Sequence, residues 1–359
     1  MKILCWNCRG IGNPATVRDL KQFLVANDPD IIFLCETKIS ANRFSSVRKK
    51  CNMEGCLAVN AEGKSGGLVL MWKDSSMVEI QSYSSNHIYA MVHNEDDEPV
   101  RFTGFYGNAD PNKRQCSWNM LRRVGRSVKE KWIIGGDFNA ILDNAKKEGG
   151  RRKPIALVED FREIVHELSM VDLKTDNGWF TWVNKREGLA MVKERLDHFL
   201  ISAQDVNSFP FMETKVLRQS SSDHDAILLD TEGRKLRDKF RDPRLCFKYD
   251  VCWAKNEEAK NIIKEAKLKK MRNKISNLQA NINKIVDGQG SIHEGNKLKT
   301  MRLKLKNLLD KEEKYWAQRS RVTWLKEGDK NTKSFHVRAT KNERQVIEGV
   351  YGQRNKGGL

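Results

Sequence analysis

The chain carries six short polar motifs, and each of them lies at the end of a hydrophobic run. In chain order they are Trp6-Asn7, Glu36-Thr37-Lys38, Tyr106-Gly107-Asn108, Gly136-Asp137-Phe138-Asn139, Arg195-Leu196-Asp197 and Ser222-Asp223-His224. Hydrolysis of a phosphodiester requires neutralisation of the phosphoryl oxygens, a positioned water and stabilisation of the leaving alkoxide. Carboxylate, amide and imidazole groups can supply these functions. Together the motifs predict one acidic site that binds Mg²⁺ and cleaves a phosphodiester.

Glu36 is the strongest candidate for a metal ligand. It follows the apolar run Ile31–Leu34, so its carboxylate is expected to project from the end of a strand. Mg²⁺ prefers one or two protein carboxylates together with waters and a phosphate oxygen. Asn7 ends the first strand and can act at the metal or at the phosphate. Considered alone, Glu36 would be interpreted as an ordinary surface glutamate. Together with Thr37-Lys38 and the other motifs, a metal ligand is the better interpretation.

The segment Gly135-Gly136-Asp137-Phe138-Asn139 is the most specific single motif. Its glycines allow a sharp turn and a close approach to a ligand. In an extended chain, residues two apart point to the same face, so Asp137 and Asn139 are expected to act together on the water and on a phosphate oxygen. The alternative is a turn capped by Asp137.

His224 is the predicted acid–base or phosphate-binding group. An imidazole next to a carboxylate can bind a phosphate oxygen or move a proton near neutral pH. Asp197 is expected to fix its tautomer, whereas His198 is expected to face the other way and pack. Tyr106 follows a strand and can hydrogen-bond the scissile phosphate. The alternatives are a capping or core histidine and a core tyrosine.

Strands alternate with amphipathic helices in the first part of the chain. The predicted strands are 2–6, 30–34, 66–72, 78–83, 88–93, 100–106, 132–135, 180–183, 196–201, 214–218 and 226–230, and the predicted helices are 17–26, 115–128 and 157–169. This pattern predicts an α/β fold with two packed sheets and outer helices. The motifs then fall on loops at one rim. A turn is expected at 94–99.

The basic residues are concentrated in the last third of the chain. Residues 233–359 hold 33 Lys and Arg against 15 Asp and Glu, whereas residues 1–232 hold 32 of each, so the net charge of +18 lies entirely in the tail. Such a tail favours contact with a polyanion, and a solvated helical surface is an equal alternative. Hydrophobic residues in Glu257–Val286 and Lys297–Ser320 follow spacings of three and four, which predicts a coiled-coil-like antiparallel hairpin. Each apolar stripe is only about two heptads long, so the hairpin is marginal unless it packs on a partner.

The cysteines do not form a zinc or disulfide pattern. Cys5 and Cys8 have CxxC spacing, but no matching second pair follows. Cys5, Cys35 and Cys116 are expected to be buried free thiols. Free thiols, the absence of a signal peptide and the absence of an apolar run near 18 residues indicate a nuclear or cytoplasmic protein that is neither secreted nor membrane-bound.

The order and local sequences of the six motifs resemble those of the endonuclease/exonuclease/phosphatase superfamily, which includes DNase I-like nucleases and apurinic/apyrimidinic endonucleases. The resemblance covers residues 1 to about 230 and is strongest to the endonuclease region of plant LINE-type retrotransposons. It implies a four-layer α/β sandwich followed by a helical, basic tail. It also implies Mg²⁺, with Mn²⁺ as an alternative, as the cofactor.

The sequence departs from the repair-type enzymes at Arg9. Those enzymes carry an Asp two residues after the Asn of the first motif, whereas this chain has Trp6-Asn7-Cys8-Arg9-Gly10. Arg9 is expected to weaken a second metal site and to contact phosphate. The segment Trp324–Thr332 resembles the one that precedes the reverse transcriptase of such elements. The chain is therefore expected to be the front of a retroelement polyprotein, either truncated or retained as a stand-alone fragment.

The sequence therefore predicts a DNA endonuclease that leaves a 3′-hydroxyl and a 5′-phosphate. The alternatives are a phosphoesterase for lipid or inositol phosphates and a decayed, nucleic-acid-binding fragment. DNA is the expected partner, with element RNA as a second candidate for the tail. The expected domains are 1–232 (catalytic), 233–256 (linker), 257–320 (hairpin) and 321–359 (a partly disordered segment). The predicted catalytic residues are Asn7, Tyr106, Asp137, Asn139, Asp197 and His224; the metal ligands are Asn7, Glu36 and Asp223; the nucleic-acid contacts are Arg9, Lys38 and Asn108.

Overall fold

In the computed structural model of this protein, the described residues are 1–62, 65–93, 98–126, 129–184, 186, 190–219, 221–235, 257–288 and 294–319. The turn predicted at 94–99 therefore lies mostly outside the described residues, as do the predicted linker beyond residue 235 and the predicted segment 321–359.

The described part of the chain forms strands and helices that alternate through the first 230 residues. The strands are β1 (Lys2–Asn7), β2 (Ile31–Cys35), β3 (Gly55–Glu62), β4 (Ser65–Trp72), β5 (Val78–Tyr83), β6 (His87–Val92), β7 (Val100–Tyr106), β8 (Lys131–Asp137), β9 (Lys147–Glu148), β10 (Met170–Asp172), β11 (Trp182–Val183), β12 (Lys193–Glu194), β13 (Asp197–Ser202), β14 (Glu213–Leu217) and β15 (Ala226–Asp230). The helices are α1 (Pro14–Asn27), α2 (Ala41–Cys51), α3 (Arg114–Gly125), α4 (Ile155–Glu167), α5 (Glu257–Asp287) and α6 (Glu294–Arg319).

Two six-stranded mixed sheets form the centre of the fold. One has the order β14-β15-β1-β2-β4-β3 and the other has the order β10-β13-β8-β7-β6-β5. Each contains one parallel pair, β1 with β2 and β7 with β8. The strands β11, β12 and β9 form a separate three-stranded sheet.

Side chains from the inner faces of the two sheets make the central core. Ile3 and Phe33 of the first sheet belong to the same buried cluster as Phe102, Ile133 and Phe199 of the second. The burial of strand residues on both faces explains why β2 is apolar at every position.

Helices cover the outer faces of both sheets. Leu20 of α1 and Phe44 of α2 pack on the outer face of the first sheet, and Trp118 of α3 and Phe161 of α4 pack on the second. The protein is thus a four-layer α/β sandwich, which confirms the predicted fold class.

Some sequence predictions need correction, and the short strands β9, β10 and β12 were not predicted. Helix α2 and strand β3 were not predicted either. Helix α2 has a weak apolar pattern, because it is rich in basic and small residues and buries only Phe44, Val47 and Cys51. Of the strand predicted at 180–183, only Trp182–Val183 is a strand, and the backbone N–H of Phe180 donates to Asp287 of α5. Cys116 is exposed rather than buried.

The helices α5 and α6 form an antiparallel hairpin, called here the C-terminal hairpin. Arg272, at the middle of α5, pairs with Glu312 in the second half of α6, as expected for two helices that run antiparallel. Their apolar stripes meet in a cluster that includes Ile275, Ile282 and Leu305. None of the described helices is both long enough and apolar enough to cross a membrane.

Candidate active site

Four of the predicted site residues are brought together by two parallel strand pairs. Asn7 lies opposite Cys35, the residue before Glu36, in the β1–β2 pair, and Tyr106 lies opposite Asp137 in the β7–β8 pair. The carboxyl ends of parallel strands meet at one edge of a sheet. The hydrogen bonds from Asn7 to Asp137 and from Tyr106 to Glu36 join the edges of the two sheets, so all four side chains lie at the same rim.

Asp197 and His224 join this rim from antiparallel neighbours. Asp197 begins β13 directly opposite Asp137. His224 precedes β15, which is antiparallel to β1. The indole N–H of Trp6 donates to the backbone carbonyl of His224, which ties the last motif to the first.

The Glu36 carboxylate is held by three donors. Its Oε1 accepts a hydrogen bond from the Tyr106 hydroxyl at 2.7 Å, and its Oε2 lies 3.3 Å from Arg9 Nε and 3.3 Å from Lys38 Nζ. Burial would raise the pKa of Glu36, but the Tyr106 hydrogen bond and the charges of Arg9 and Lys38 outweigh it and lower the pKa. The carboxylate is therefore ionised at neutral pH.

Asp223 is connected to Glu36 through Arg9. The Arg9 Nη1 atom lies 2.6 Å from Asp223 Oδ2, which also accepts from the indole N–H of Trp182 at 3.0 Å. Burial would raise the pKa of Asp223, but the positive charges of His224 and Arg9 lower it. Among the described residues, the buried Oδ1 of Asp223 has no hydrogen-bond partner. An unsatisfied buried carboxylate oxygen is an available ligand position.

A buried imidazole lies between two carboxylates. His224 Nδ1 is 3.0 Å from Asp197 Oδ2, and its Nε2 is 3.8 Å from Asp137 Oδ2. Burial would lower the pKa of His224, but Asp197 and Asp137 outweigh it and raise the pKa to about 9. Burial, together with the nearby Asp197, raises the pKa of Asp137. The imidazole is therefore a cation at neutral pH, with Nδ1 held by Asp197.

Two amides surround Asp137. The Asn7 side chain donates to Asp137 Oδ2 at 2.8 Å, and the Asn139 side chain donates to the same oxygen at 3.2 Å and to the Gly107 carbonyl at 2.9 Å. The proximity predicted for Asp137 and Asn139 is present, but the extended-chain reason for it is wrong. Asn139 has φ +51°, and its N–H donates to Asp137 Oδ1, so Asp137 also caps a turn.

Left-handed backbone conformations are concentrated at this rim. Arg9, Glu36, Lys38 and Asn139 all have φ between +46° and +56°. Residues other than glycine avoid this region, and strained residues gather where side chains must be aimed at a ligand. The other three described non-glycine residues with positive φ lie at helix ends: Asp28 and Asn52 are C-caps, and Ser169 follows the C-cap of α4.

All three predicted nucleic-acid contacts are engaged within the protein, and Arg9 is paired with Glu36 and Asp223. Lys38 pairs with Glu36. Asn108 Oδ1 accepts from the backbone N–H of Asp110, and its own N–H donates to Ser117, so Asn108 caps a loop and has no contact with the Glu36 or His224 groups. Their nucleic-acid contacts stay predictions.

Several residues that the sequence did not single out also support the site. Trp182 binds Asp223, and the Thr181 hydroxyl accepts the backbone N–H groups of Leu196 and Asp197. Asp225 forms a buried ion pair with Arg218. In the sequence, only the position of Asp225 next to the Ser-Asp-His motif could have indicated its role. Nothing in the sequence indicated a role for Thr181.

Two groups of donors could hold a metal ion. Asp137, Asp197 and His224 offer ligand atoms within 4.8 Å of one another. Glu36 and Asp223 offer carboxylate oxygens on either side of Arg9, and hard oxygen donors suit a divalent cation such as Mg²⁺. The second group fits better, because in the first Asp137 Oδ2 already accepts from Asn7 and Asn139, whereas in the second the buried Oδ1 of Asp223 has no hydrogen-bond partner among the described residues. Arg9 and Lys38 supply at Glu36 the positive charge that a metal would bring.

Removal of the Arg9 side chain is expected to tighten divalent-cation binding by about tenfold, which corresponds to about 1.4 kcal/mol. A cation that binds Glu36 and Asp223 must displace the guanidinium, and Arg9→Ala removes this competition. Titration of the protein with Mn²⁺, followed by electron paramagnetic resonance, measures the affinity. Arg43→Ala, which removes an exposed arginine from α2, is the matched control. Equal affinities for both variants would contradict the expectation.

Gly136 is expected to tolerate no side chain. It has φ +145°, and a Cβ there would lie 2.1 Å from the Phe105 carbonyl oxygen. Gly136→Ala should therefore lower the free energy of unfolding by about 3 kcal/mol, which chemical denaturation measures. Gly66→Ala is the control, because Gly66 also has positive φ but open space around it. A similar loss in the two variants would show that the contact with Phe105 has no effect.

The four-layer fold and the acidic, amide- and histidine-bearing rim define a class of protein, the nuclease and phosphatase superfamily whose members are hydrolytic enzymes. Residues 4–224 match the endonuclease/exonuclease/phosphatase family. This match spans more than half of the chain, and the protein belongs to this family. No curated protein matches the chain by sequence.

Solved structures share the fold at low sequence identity. The 3′ phosphatase NExo from Neisseria, bound to product DNA hairpin, has a TM-score of 0.52 and 16% identity and covers 64% of this chain and 98% of its own. The AP endonuclease LMAP from Leishmania major has a TM-score of 0.51 and 15% identity and covers 64% of this chain and 86% of its own. The C-terminal hairpin lies outside the family match.

Proposed function

We propose that this protein is a Mg²⁺-dependent endonuclease that nicks DNA and leaves a 3′-hydroxyl and a 5′-phosphate. The observation that carries this proposal is the convergence, at one rim, of the ionised Glu36–Asp223 carboxylates and a buried imidazolium between Asp137 and Asp197. The first pair suits a metal ion, and the imidazolium suits a phosphoryl oxygen.

Glu36 and Asp223, with the Asn7 amide nearby, would hold the ion. When bound, Mg²⁺ supplies charge neutralisation at the phosphate and at the leaving oxygen. The Tyr106 hydroxyl donates to Glu36 and so orients this carboxylate. On this proposal Tyr106 also reaches a phosphate oxygen when substrate is present.

His224 and Asp137 would act at the phosphate and at the attacking water. Asp197 holds His224 Nδ1 at 3.0 Å, so the Nε2–H is the free donor of the imidazolium and is directed toward the Asp137 side. Asp137, fixed by Asn7 and Asn139, accepts a hydrogen bond from the water and orients it for in-line attack. Nε2–H binds the phosphoryl oxygen, where negative charge develops.

DNA is the proposed substrate because the chain has a large net positive charge, which favours a polyanion. This charge lies in the residues that follow the catalytic fold. The basic tail would bind phosphates and release counterions, so affinity should fall steeply with salt. Residues 268–288 and 295–312, the described side chains of the C-terminal hairpin, include eleven Lys and Arg and three acids. The three acids, Asp287, Asp310 and Glu312, are each paired with an arginine.

The proposed origin is a plant LINE-type retrotransposon. It rests on the segment Trp6–Gly10 and on Trp324–Thr332, which resembles the sequence before a reverse transcriptase. In an intact element, the 3′-hydroxyl at the nick would prime reverse transcription.

Nicking of a supercoiled plasmid, with Mg²⁺ and with EDTA, tests the proposed function. We expect metal-dependent relaxation to an open circle that DNA ligase reseals, because ligase requires a 3′-hydroxyl and a 5′-phosphate. Relaxation that ligase cannot reseal would contradict the proposed end chemistry. Intact plasmid despite DNA binding would favour a decayed nuclease, and phosphate release from lipid or inositol phosphates would favour the alternative substrate.

A further inference from the structure

The C-terminal hairpin is fastened to the catalytic domain beside His224. At its turn, Ile285 and Val286 belong to one buried cluster with Phe180, Val183 and Met191 of the domain. This contact supplies the partner surface that the hairpin was expected to need, because each apolar stripe is only about two heptads long.

Asp287 of the hairpin holds the segment Trp179–Val183 by its backbone. The Asp287 Oδ1 atom accepts the N–H of Trp179 at 2.7 Å and the N–H of Phe180 at 3.0 Å. In the opposite direction, the buried Lys193 of β12 donates to the carbonyls of Ile285 and Gly288. Backbone groups at the C-terminal end of α5 are therefore satisfied by the catalytic domain.

The segment Trp179–Val183 in turn holds the catalytic candidates. The N–H of Val183 donates to the Asp223 carbonyl, and the N–H of Asp225 donates to the Thr181 carbonyl, so this segment flanks His224 on both sides. The Thr181 hydroxyl accepts the N–H of Asp197 at 3.0 Å. A displacement of this one segment would move both partners of the Asp197–His224 hydrogen bond.

Four charged side chains connect the C-terminal hairpin to Asp225, the residue that follows His224. Arg218 and Asp225 are fully buried and lie 2.7 Å apart. The hairpin adds Arg302, 3.0 Å from Asp225, and Asp287, 3.3 Å from Arg218. The hairpin thus supplies one cation and one anion, and the cluster is neutral. Buried charges need such matched partners, so the cluster defines one docked position.

We propose that the C-terminal hairpin is a positioning element of the active site, with Asp287 and Arg302 as positioning residues that hold the Asp197–His224 pair through Trp179–Val183 and Asp225. The activity readout of this proposal rests on the proposed nuclease function, whereas its exchange readout is independent of that function.

Arg302→Gln and Asp287→Asn in the full chain test the proposal. They change the net charge in opposite directions, so an effect on DNA affinity alone would differ in sign between them. Both are expected to lower the single-turnover nicking rate at saturating protein by about tenfold to a hundredfold, because small misplacements of catalytic groups have effects of this size. Arg302→Lys should recover part of the rate. Lys304→Gln, an exposed position on the same helix, controls for the loss of one positive charge.

Hydrogen–deuterium exchange supplies the second readout. Both variants should speed exchange in segments 179–183 and 223–225, relative to the wild type and to Lys304→Gln, while α1 to α4 stay protected. Faster exchange in all parts of the protein would mean that a variant unfolds globally. In that case the proposal requires that Arg302→Lys show faster exchange only in segments 179–183 and 223–225. Exchange and rates equal to those of Lys304→Gln would overturn it. A wild type that does not nick DNA overturns the nuclease function, and exchange alone then decides the positioning role.

Discussion

Substitution of Glu36 by glutamine will lower metal-dependent nicking by about a thousandfold and leave DNA affinity nearly unchanged. Glutamine keeps the size of the side chain, and its carbonyl can still accept from the Tyr106 hydroxyl, so the local structure is preserved. What is lost is the negative charge that Arg9 and Lys38 now balance and that a divalent cation would bind. The interaction with the metal is thus removed without removal of the surface that binds DNA.

Three measurements on Glu36→Gln separate these effects. Single-turnover nicking reports the chemical step, filter binding in EDTA reports DNA affinity, and Mn²⁺ titration reports the metal site. Glu159→Gln, at an exposed position of α4, removes the same charge from the outer layer and serves as the control. Weaker DNA binding in parallel with slower cleavage would count against a role for Glu36 as a metal ligand. Undiminished nicking would exclude that role.

The convergence of the site was accessible from the sequence because it follows from strand geometry. Asn7 and Glu36 close two hydrophobic runs, and such runs form buried strands whose carboxyl ends meet when they pair in parallel. The same argument places Tyr106 beside Asp137. The ends of these strands were predicted from the sequence, whereas the parallel pairing of β1 with β2 and of β7 with β8 was not predicted and comes from the fold.

The remaining features depend on contacts between distant parts of the chain. Nothing near Arg9 in sequence indicates that its guanidinium spans Glu36 and Asp223, which are 27 and 214 residues away. Asn139 was placed by an extended-chain argument, which fails because β8 ends at Asp137 and the chain turns there. Asp and Asn also favour turns, so the turn capped by Asp137 was an alternative from the sequence, and the local pattern did not decide between the two.

The docking of the C-terminal hairpin was equally inaccessible. Its apolar stripes predicted two packed helices, and these are present. However, Ile285 and Val286 near the turn look like part of the same stripe, and only the fold shows that they pack against Phe180 and Met191. A stripe in sequence specifies that a surface will be buried, and not which surface covers it.

Substitution of His224 by glutamine is expected to slow single-turnover nicking by about a thousandfold or more. Glutamine can still reach Asp197, but it has no charge to stabilise the phosphoryl oxygens and no proton to transfer. DNA affinity in EDTA should change little, because His224 is buried and contributes little surface. Strong nicking by His224→Gln, with the protein folded, would remove His224 from the mechanism.

The same substitution should also change how stability depends on pH, which is a test that needs no activity. In the metal-free folded protein, Asp197 and Asp137 raise the pKa of His224 from 6.5 to about 9. Between these values the folded protein retains a proton that the unfolded chain releases, so the free energy of unfolding should fall as pH rises from 6.5 to about 9. The raised pKa of Asp137 contributes a slope of the same sign at lower pH.

Urea denaturation in EDTA at a series of pH values measures this slope. His224→Gln should flatten it, whatever the absolute stability of the variant, because the retained proton is gone. His166→Gln, at an exposed position of α4, should keep the wild-type slope. An unchanged slope in His224→Gln would mean that His224 is neutral when folded. The phosphate would then have to be bound by the metal ion, by Tyr106 or by Arg9, and the Asp197–His224 pair would serve only to orient the imidazole.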